Sequence, residues 1–342
     1  MSEMHGGNIY QHSECIDFSA NLNPLGMPEQ VRSQVIRNAG LWEHYPDPAC
    51  SVLTAEIAKH QDVTPAQVVC GNGADDLIWR IAQTLRPKTA LLPVPTFTEY
   101  ARALGSVGCE VHYHALSPEN DFLLTERFLE ALRPGLELVV LCNPNNPTGR
   151  LIPTEYLAEI CRKCEENETF LLVDECFLDL VENGAAHSAK QFLTPHTIVL
   201  NAFTKTYAMP GLRLGFALFG DAGLAEQVLY MGQYWSVSAP AQVAGMAALQ
   251  ETAYLARSQA YICKEREYLT QALAGLGLHT VPSDANFILF QGKTGLRQKL
   301  LQEHILIRCC DNFEGLDATF YRIAVRTHPE NEQLIHALRR YL

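Results

Sequence analysis

The chain has 342 residues, of which 47% are hydrophobic and 19% charged, and its formal net charge is −12 at pH 7. This length is sufficient for one large domain and a smaller one. The acidic balance argues against nucleic acid or an anionic membrane as a general partner. Apolar runs all fall short of the ~20 residues of a membrane span, and residues 1–8 lack a secretion signal. We therefore expect a cytoplasmic protein.

The eleven cysteines are scattered along the chain, and many, such as Cys70 and Cys142, lie in apolar, strand-like runs. This distribution is typical of reduced thiols in a protein core. Cys161 and Cys164 form a lone pair within a helical pattern, and no second pair follows. We therefore expect no metal site.

The first 44 residues are rich in turns, and the polar amides at residues 17–26 are bracketed by proline and glycine. This pattern predicts a tight, ordered loop. A helical pattern follows at residues 29–39. We interpret residues 1–44 as an N-terminal segment that contributes to the smaller domain and to a substrate site.

From residue 68 onward, apolar runs alternate with helical patterns. The runs occupy residues 68–70, 89–94, 110–114, 136–142, 169–175 and 197–200. Strands that are apolar on both faces are typical of a mostly parallel sheet covered by helices on each side. The sequence thus predicts an α/β fold whose large domain spans residues 45–250.

The pattern changes after a long helical region at residues 239–276, in which we expect a break near residue 253. Strand patterns follow at residues 286–290, 305–308 and 320–325, and a helical pattern at residues 331–342 ends the chain. Residues 251–342 are therefore expected to form a smaller α+β domain.

Lys205 follows a buried strand pattern directly, beside Thr204 and eight residues before Arg213. A lysine held near fixed positive charge and apolar walls has a depressed pKa, so its amine can attack a carbonyl and form a Schiff base. The hydroxyl of Thr204 and the guanidinium of Arg213 suit a phosphate group. A phosphorylated carbonyl compound suggests pyridoxal phosphate (PLP); the alternative is a surface lysine in a loop.

Lys205 shares its position at a strand end with residues 73–75, Asn146 and Asp174. Ligands of open α/β sheets bind outside these carboxyl ends. Residues 73–75 open a helix whose free N–H groups suit a phosphate, although a simple glycine turn is the alternative. Asp174 would be costly as an unpaired buried charge. A pyridinium nitrogen could pair with it, and a capping carboxylate is the alternative.

Residues 143–149, residues 174–177 and the group Thr204, Lys205 and Arg213 together resemble the signature of fold-type I PLP-dependent enzymes, the aspartate aminotransferase superfamily. The motifs occur in the family's order, and the resemblance covers nearly the whole chain. It implies a mostly parallel, seven-stranded sheet in the large domain, PLP as cofactor, and a homodimer with shared sites.

The same resemblance implies a role for each residue of the cofactor site. Lys205 would bind PLP covalently, Asp174 would pair with the ring nitrogen, and Asn146 would hold the phenolic oxygen. Phe97 would stack on the ring, although an aromatic side chain there is more often simply core. The phosphate would be held by Gly73, Ala74, Asp75, Thr204 and Arg213, with Tyr45 reaching across from the neighbouring subunit.

Two positions depart from the family pattern. Phe177 occupies a position where the aminotransferases usually carry a tyrosine that contacts the phenolic oxygen. Ala202 occupies a position where many relatives have a phosphate-binding serine. We expect the phosphate contacts and the ring electronics to differ from those of a standard transaminase.

Two subfamilies with phosphorylated substrates are most similar: the L-threonine-O-3-phosphate decarboxylases of cobalamin biosynthesis and the histidinol-phosphate aminotransferases. Residues 5–8, residues 17–26, Phe177 and residues 203–211 favour the first. That resemblance implies PLP-dependent decarboxylation of L-threonine O-3-phosphate to (R)-1-aminopropan-2-yl phosphate and CO2. Decarboxylation of L-serine O-phosphate and the aminotransferase reaction remain open alternatives.

The arginines near the C-terminus fit an anionic substrate. Residues 321–326 alternate as in a strand, which places Arg322 and Arg326 on one face. The resemblance implies that Arg322 takes the α-carboxylate and that Arg308, His5 and Asn21 take the substrate phosphate. Asn146 is also expected to contact the substrate. Arg326 has no assigned role, and a solvated strand face is its alternative.

Overall fold

The computed structural model describes residues 5–342. Its strands are β1 (Ile16–Asp17), β2 (Val68–Gly71), β3 (Thr89–Val94), β4 (Glu110–Ala115), β5 (Leu138–Cys142), β6 (Phe170–Asp174), β7 (Thr197–Ala202), β8 (Gly215–Phe219), β9 (His279–Thr280), β10 (Phe287–Gln291), β11 (Ile305–Leu306), β12 (Arg308–Cys309) and β13 (Phe320–Ala324). Its helices are α1 (Glu29–Arg37), α2 (Ser51–Gln61), α3 (Ala74–Leu85), α4 (Glu99–Ser106), α5 (Glu126–Ala131), α6 (Thr154–Glu166), α7 (Phe203–Thr206), α8 (Ala222–Met231), α9 (Ala239–Ala248), α10 (Thr252–Gly275), α11 (Leu296–Gln302) and α12 (His328–Leu338).

The large sheet has seven strands in the order β2-β8-β7-β6-β5-β3-β4. Strand β8 runs antiparallel to β2 and β7, and the remaining neighbours pair in parallel. Successive residues of one strand pack into cores on opposite faces: Leu171 and Val173 enter one core, and Leu172 enters the other. Burial on both faces explains the continuous apolar runs. The α/β fold with a mostly parallel sheet is confirmed.

A four-stranded antiparallel sheet, β12-β13-β10-β9, and the parallel pair β1-β11 make up the smaller sheet region. Their core includes Phe18 from the N-terminal segment together with Leu269 and Leu273 of α10. Residues near the N-terminus thus pack beside residues near the C-terminus. The exact domain boundaries at residues 44 and 250 stay a prediction.

Three C-terminal elements differ from the sequence patterns. The break expected near residue 253 in the helical region at residues 239–276 lies slightly earlier, at residues 249–251, between α9 and α10. The strand expected at residues 305–308 is two short strands, β11 and β12, which belong to different sheets. Helix α12 begins at residue 328 rather than 331, because Thr327 and Glu330 form a capping box at its N-terminus.

Two further properties concern the described residues and the cysteines. Among residues 5–342, none of the helices combines the length and apolar character that crossing a bilayer requires. All eleven cysteines have free thiols.

Candidate active site

A cavity of about 420 Å³ lies where β5, β6 and β7 end. Most of the residues expected at the site line it: His5, Asn21, Ala74, Asp75, Phe97, Asn146, Asp174, Phe177, Thr204, Lys205, Arg213, Arg308 and Arg322. The fold therefore brings together side chains from the N-terminal segment, the large sheet and the smaller sheet.

Lys205 lies in the short helix α7, immediately after β7. Burial and the nearby Arg322 and Arg213 lower its pKa to about 8, because each disfavours the charged ammonium. Its Nζ lies 5.8 Å from the centre of the Phe177 ring. A substantial share of neutral amine is therefore present slightly above neutral pH, as a nucleophilic lysine requires.

Asp174 ends β6, and its side chain is buried. Its carboxylate accepts hydrogen bonds from the Tyr100 hydroxyl at 2.5 Å and from the Cys176 backbone N–H at 3.0 Å. Burial raises the pKa of Asp174 despite these contacts. Within residues 5–342, this carboxylate has no ion-pair partner. It would therefore be stabilised by a cationic group in the cavity.

The N-terminus of α3 and Arg213 form a second polar wall. Gly73 has φ +86°, and a Cβ built on it would lie 2.6 Å from Arg213 Nη2. Gly73 does not line the cavity but lies directly behind the guanidinium. Thr204 is buried nearby, and the buried Asp75 Oδ1 has no hydrogen-bond partner in the described part of the chain. Burial and the Glu99 carboxylate raise the pKa of Asp75.

Arg322 lies at the opposite side of the site. It donates from Nη1 to Asn146 Oδ1 and from Nη2 to the Ser19 carbonyl at 2.8 Å. Its buried Nε lacks a partner among residues 5–342, and burial lowers its pKa to about 10. Because the amide oxygen of Asn146 faces Arg322, the amide NH₂ remains as its donor.

Arg308 lies directly opposite Arg322 in the β12–β13 pair. Both guanidinium groups are buried, and Arg308 Nη2 donates to Asn312 Oδ1 at 2.6 Å. Two buried cations of like sign favour an anionic ligand between or beside them. Asn21 contributes a buried Oδ1 without a partner in the described residues. His5 Nε2 lies 2.8 Å from Glu99 Oε1.

Two singled-out residues lie elsewhere. Tyr45 is outside the cavity, 78% exposed, and stacks on Trp235 with ring centroids 4.3 Å apart. Arg326 donates to Glu330 Oε1 at 2.6 Å, so it supports the start of α12. Its buried Nε has no hydrogen-bond partner among residues 5–342, and no role in the site is assigned to Arg326.

Sequence reasoning missed several lining residues, which include Ser19, Glu99, Tyr100, Arg102, Cys142, Cys176 and Phe313. Tyr100 and Glu99 lie in α4, where their residue types do not differ from those of an ordinary amphipathic helix. Their partners are 74 and 94 residues away along the chain. No local pattern identifies such contacts.

Residues 13–338 match the family Aminotransferase class I and II, and the chain belongs to this family. Its enzymes depend on pyridoxal phosphate. The fold and the lysine-containing cavity therefore define a fold-type I PLP enzyme, as the sequence motifs imply.

Two relatives with named activities are similar to this chain over nearly its whole length. Threonine-phosphate decarboxylase of Salmonella typhimurium is 38% identical over 352 residues, which covers 99% of this chain and 96% of that protein. The adenosylcobalamin biosynthesis bifunctional protein CobDQ of Leptospira interrogans is 32% identical over 355 residues, covering 97% of this chain and 40% of that protein.

Two solved structures of different activity share the fold. Histidinol-phosphate aminotransferase from Clostridium acetobutylicum superposes with a TM-score of 0.88 at 26% identity, covering 95% of this chain and 99% of that one. L-threonine-O-3-phosphate decarboxylase from Porphyromonas gingivalis gives a TM-score of 0.82 at 26% identity, covering 95% and 98%.

The residues of the cavity fit PLP. Asp174 is a buried carboxylate without a cationic partner in the described chain, which matches a protonated ring nitrogen. Lys205 has the lowered pKa that covalent attachment requires. The N-terminus of α3, with Gly73 beside Arg213, leaves backbone N–H groups and a guanidinium for a phosphate. Three chemically distinct ends of the cofactor thus each have a matching group.

Proposed function

We propose that this chain catalyses PLP-dependent decarboxylation of L-threonine O-3-phosphate to (R)-1-aminopropan-2-yl phosphate and CO2, a step of cobalamin biosynthesis. One observation carries the proposal: two buried arginines, Arg308 and Arg322, lie opposite each other in the cavity that contains Lys205. A substrate with both a carboxylate and a phosphate matches this pair. The decarboxylase of Salmonella typhimurium, which aligns over 99% of the chain, supports it.

The cofactor site would work through Lys205 and Asp174. When bound, PLP would supply an electron sink for the bond that breaks at Cα. Asp174, oriented by Tyr100 and the Cys176 N–H, would hold a proton at the ring nitrogen. The NH₂ group of Asn146 would donate to the phenolic oxygen, and Phe97 would cover the ring face. Asp174 thereby maintains the charge on which electron withdrawal depends.

The substrate side would orient the bond that breaks. Arg322 Nε, buried and without a partner among residues 5–342, would donate to the α-carboxylate. Arg308, His5 and Asn21 would hold the substrate phosphate. Attachment at two points restricts rotation about Cα, so that one bond is presented for cleavage.

Lys205 would also complete the reaction by moving a proton. Its pKa of about 8 makes both the ammonium and the amine accessible near neutral pH. After CO2 leaves, the ammonium would deliver its proton to Cα. The neutral amine of Lys205 that remains would then displace the product amine and so release it. Delivery to this carbon distinguishes a decarboxylase from a transaminase.

The assembly belongs to the proposal as well. Tyr45, Tyr234 and Trp235 are exposed, and the ring of Trp235 contacts both tyrosines. An exposed aromatic patch of this kind marks an interface. We propose a cytoplasmic homodimer in which this patch is buried and Tyr45 completes the phosphate site of the partner. The proposed domains are residues 45–250 and 251–342, with residues 1–44 serving the smaller domain and the substrate site.

Histidinol-phosphate aminotransferase is the second candidate, because a solved structure with that activity superposes with a TM-score of 0.88. L-serine O-phosphate is a further candidate substrate, since it differs by one methyl group, worth ~1–3 kcal/mol of discrimination.

The test is incubation of the PLP-loaded protein with L-threonine O-3-phosphate and no keto-acid acceptor. Release of CO2 together with aminopropanol phosphate is expected. Turnover of histidinol phosphate with 2-oxoglutarate, and no CO2 from threonine phosphate, would establish the aminotransferase instead. A parallel assay with L-serine O-phosphate gives the ratio of kcat/KM between the two amino acids.

A further inference from the structure

Glu99 lines the cavity at the start of α4, and only 3% of its surface is exposed. Its carboxylate lies 2.8 Å from His5 Nε2 and accepts a hydrogen bond from Arg102 Nη1 at 3.3 Å. A phosphate ester carries a charge of about −1.5 to −2 at pH 7. A buried carboxylate in a cavity for such a ligand would repel it unless the carboxylate has another task.

The backbone next to His5 is anchored at the other side of the cavity. Gly7 N–H donates to Ser19 Oγ at 2.8 Å. Gly6 approaches so closely that a Cβ built on it would lie 2.1 Å from the Ser19 carbonyl oxygen. That oxygen accepts the hydrogen bond from Arg322 Nη2 at 2.8 Å. Residues 5–7 thus connect the α4 wall with the arginine wall.

We propose that Glu99 is a positioning residue that holds His5 at the edge of the cavity and directs its imidazole to the substrate phosphate. An ionised carboxylate can only accept, so it takes the hydrogen of Nε2 and leaves Nδ1 for the ligand. In its doubly protonated form the ring donates to Glu99 from one nitrogen and to a phosphate oxygen from the other. This inference rests on the proposed function, because it assumes a phosphorylated substrate.

The charges around Glu99 explain why it would not repel the ligand. His5 and Arg102 both contact the carboxylate, and Arg102 also lies over the Trp79 ring at 5.8 Å. Asp75 is the neighbouring acidic group on α3. Because Arg102 is cationic and His5 contacts the same carboxylate through Nε2, the α4 wall presents the imidazole of His5 to the substrate instead of a bare negative charge.

The experiment compares Glu99→Ala, Glu99→Gln, His5→Ala and the double variant Glu99→Ala/His5→Ala, all as full-length, PLP-loaded enzyme. Glu99→Ala is expected to raise KM for L-threonine O-3-phosphate about tenfold, the effect of losing one charge-assisted hydrogen bond. The value of kcat should stay within about twofold, and Glu99→Gln, which keeps an acceptor oxygen, should recover part of the loss. Because Glu99 acts through His5, the double variant should match His5→Ala alone.

Glu110→Gln is the matched control, since Glu110 Oε1 lies 3.8 Å from His112 Nε2 on the exposed strand β4. It should leave KM unchanged. If Glu99→Ala raised KM equally with and without His5, Glu99 would act independently of His5 and the inference would be overturned.

Hydrogen exchange separates this inference from the proposed function. In the substrate-free holoenzyme, the backbone amides of residues 5–19 should exchange faster in both Glu99 variants than in wild type, and more so in Glu99→Ala. Unchanged exchange in both variants would show that Glu99 does not hold His5 in place, whichever substrate the enzyme uses, and would overturn the inference. If the wild-type enzyme did not act on threonine phosphate while both Glu99 variants still showed faster exchange, only the proposed function would be overturned.

Discussion

The Tyr100 hydroxyl donates a hydrogen bond of 2.5 Å to Asp174 Oδ2, across 74 residues of sequence. It joins helix α4 to the end of strand β6, and both side chains are buried. Burial and the Asp174 carboxylate hold the pKa of Tyr100 well above its usual range, so the hydroxyl remains a neutral donor. The contact stabilises a carboxylate that burial alone would tend to protonate.

Tyr100→Phe should therefore weaken cofactor binding. Without the hydroxyl the pKa of Asp174 rises further, and its hold on the proton of the ring nitrogen declines. We expect the affinity for PLP to fall about tenfold, in line with a hydrogen bond to a charged group. The measurement is an absorbance titration of the apoenzyme with PLP. Tyr113→Phe, on the exposed face of β4, is the control, and equal affinities for the two variants would contradict the prediction.

The sequence pointed to Asp174 because it ends an apolar strand, and to Lys205 because it closely follows the end of another. A charged side chain stands out at such positions. It did not identify Tyr100 or Glu99, because both lie in an ordinary helix pattern and gain their roles only from distant partners. The fold class was accessible from the alternation of buried strands and helices. That alternation reflects burial on both faces of the sheet, a property shared by its strands β2, β3, β5, β6, β7 and β8, whereas the edge strand β4 is largely exposed.

The C-terminal region was less predictable for a related reason. Strands β11 and β12 have two residues each and join different sheets, and such short segments carry no periodicity. The start of α12 was available in the sequence, since Thr327 and Glu330 have capping-box spacing. Apolar periodicity alone placed that helix three residues too late.

Lys205→Met should stabilise the apoenzyme near neutral pH. The native pKa of about 8 lies below the unfolded value of ~10.4. Between these values the unfolded chain binds more protons, so the contribution of Lys205 to native stability rises with pH. Below pH ~8 the buried ammonium of Lys205 destabilises the folded state by its full amount, for which about 3 kcal/mol is the upper bound. The actual cost is smaller, because the amine faces an open cavity.

The measurement is urea unfolding of both apoproteins from pH 6.5 to about 10. The gain in free energy of unfolding from Lys205→Met should be largest at low pH and should shrink as the pH rises from ~8 towards ~10.4. Lys59→Met, at an exposed position of α2, makes the same chemical change without burial and should show no such trend. A constant difference for Lys205→Met would argue against a lowered pKa.

Gly73→Ala should damage the phosphate end of the cofactor site. Its φ of +86° disfavours a side chain, and the new Cβ would lie 2.6 Å from Arg213 Nη2, which must move. We expect at least a tenfold loss of PLP affinity and a stability loss of about 1–2 kcal/mol. Gly105→Ala, in α4 with open space around it, should instead be neutral or stabilising by up to about 1 kcal/mol. Equal effects at the two glycines would contradict the role of this backbone position.

Mixing Lys205→Ala with Tyr45→Ala, at a PLP concentration low enough that Tyr45→Ala alone is inactive, tests whether Tyr45 serves the partner subunit. Tyr45 lies outside its own cavity, so in a shared-site dimer a Lys205→Ala subunit still lends an intact Tyr45 to its neighbour. A Tyr45→Ala subunit paired with it then has both Lys205 and a partner tyrosine, and one site per hybrid is complete. Refolding an equal mixture should recover about a quarter of wild-type activity, because half of the dimers are hybrids. If Tyr45 acted within its own subunit, every site would lack one of the two residues and the mixture would stay as inactive as the separate variants.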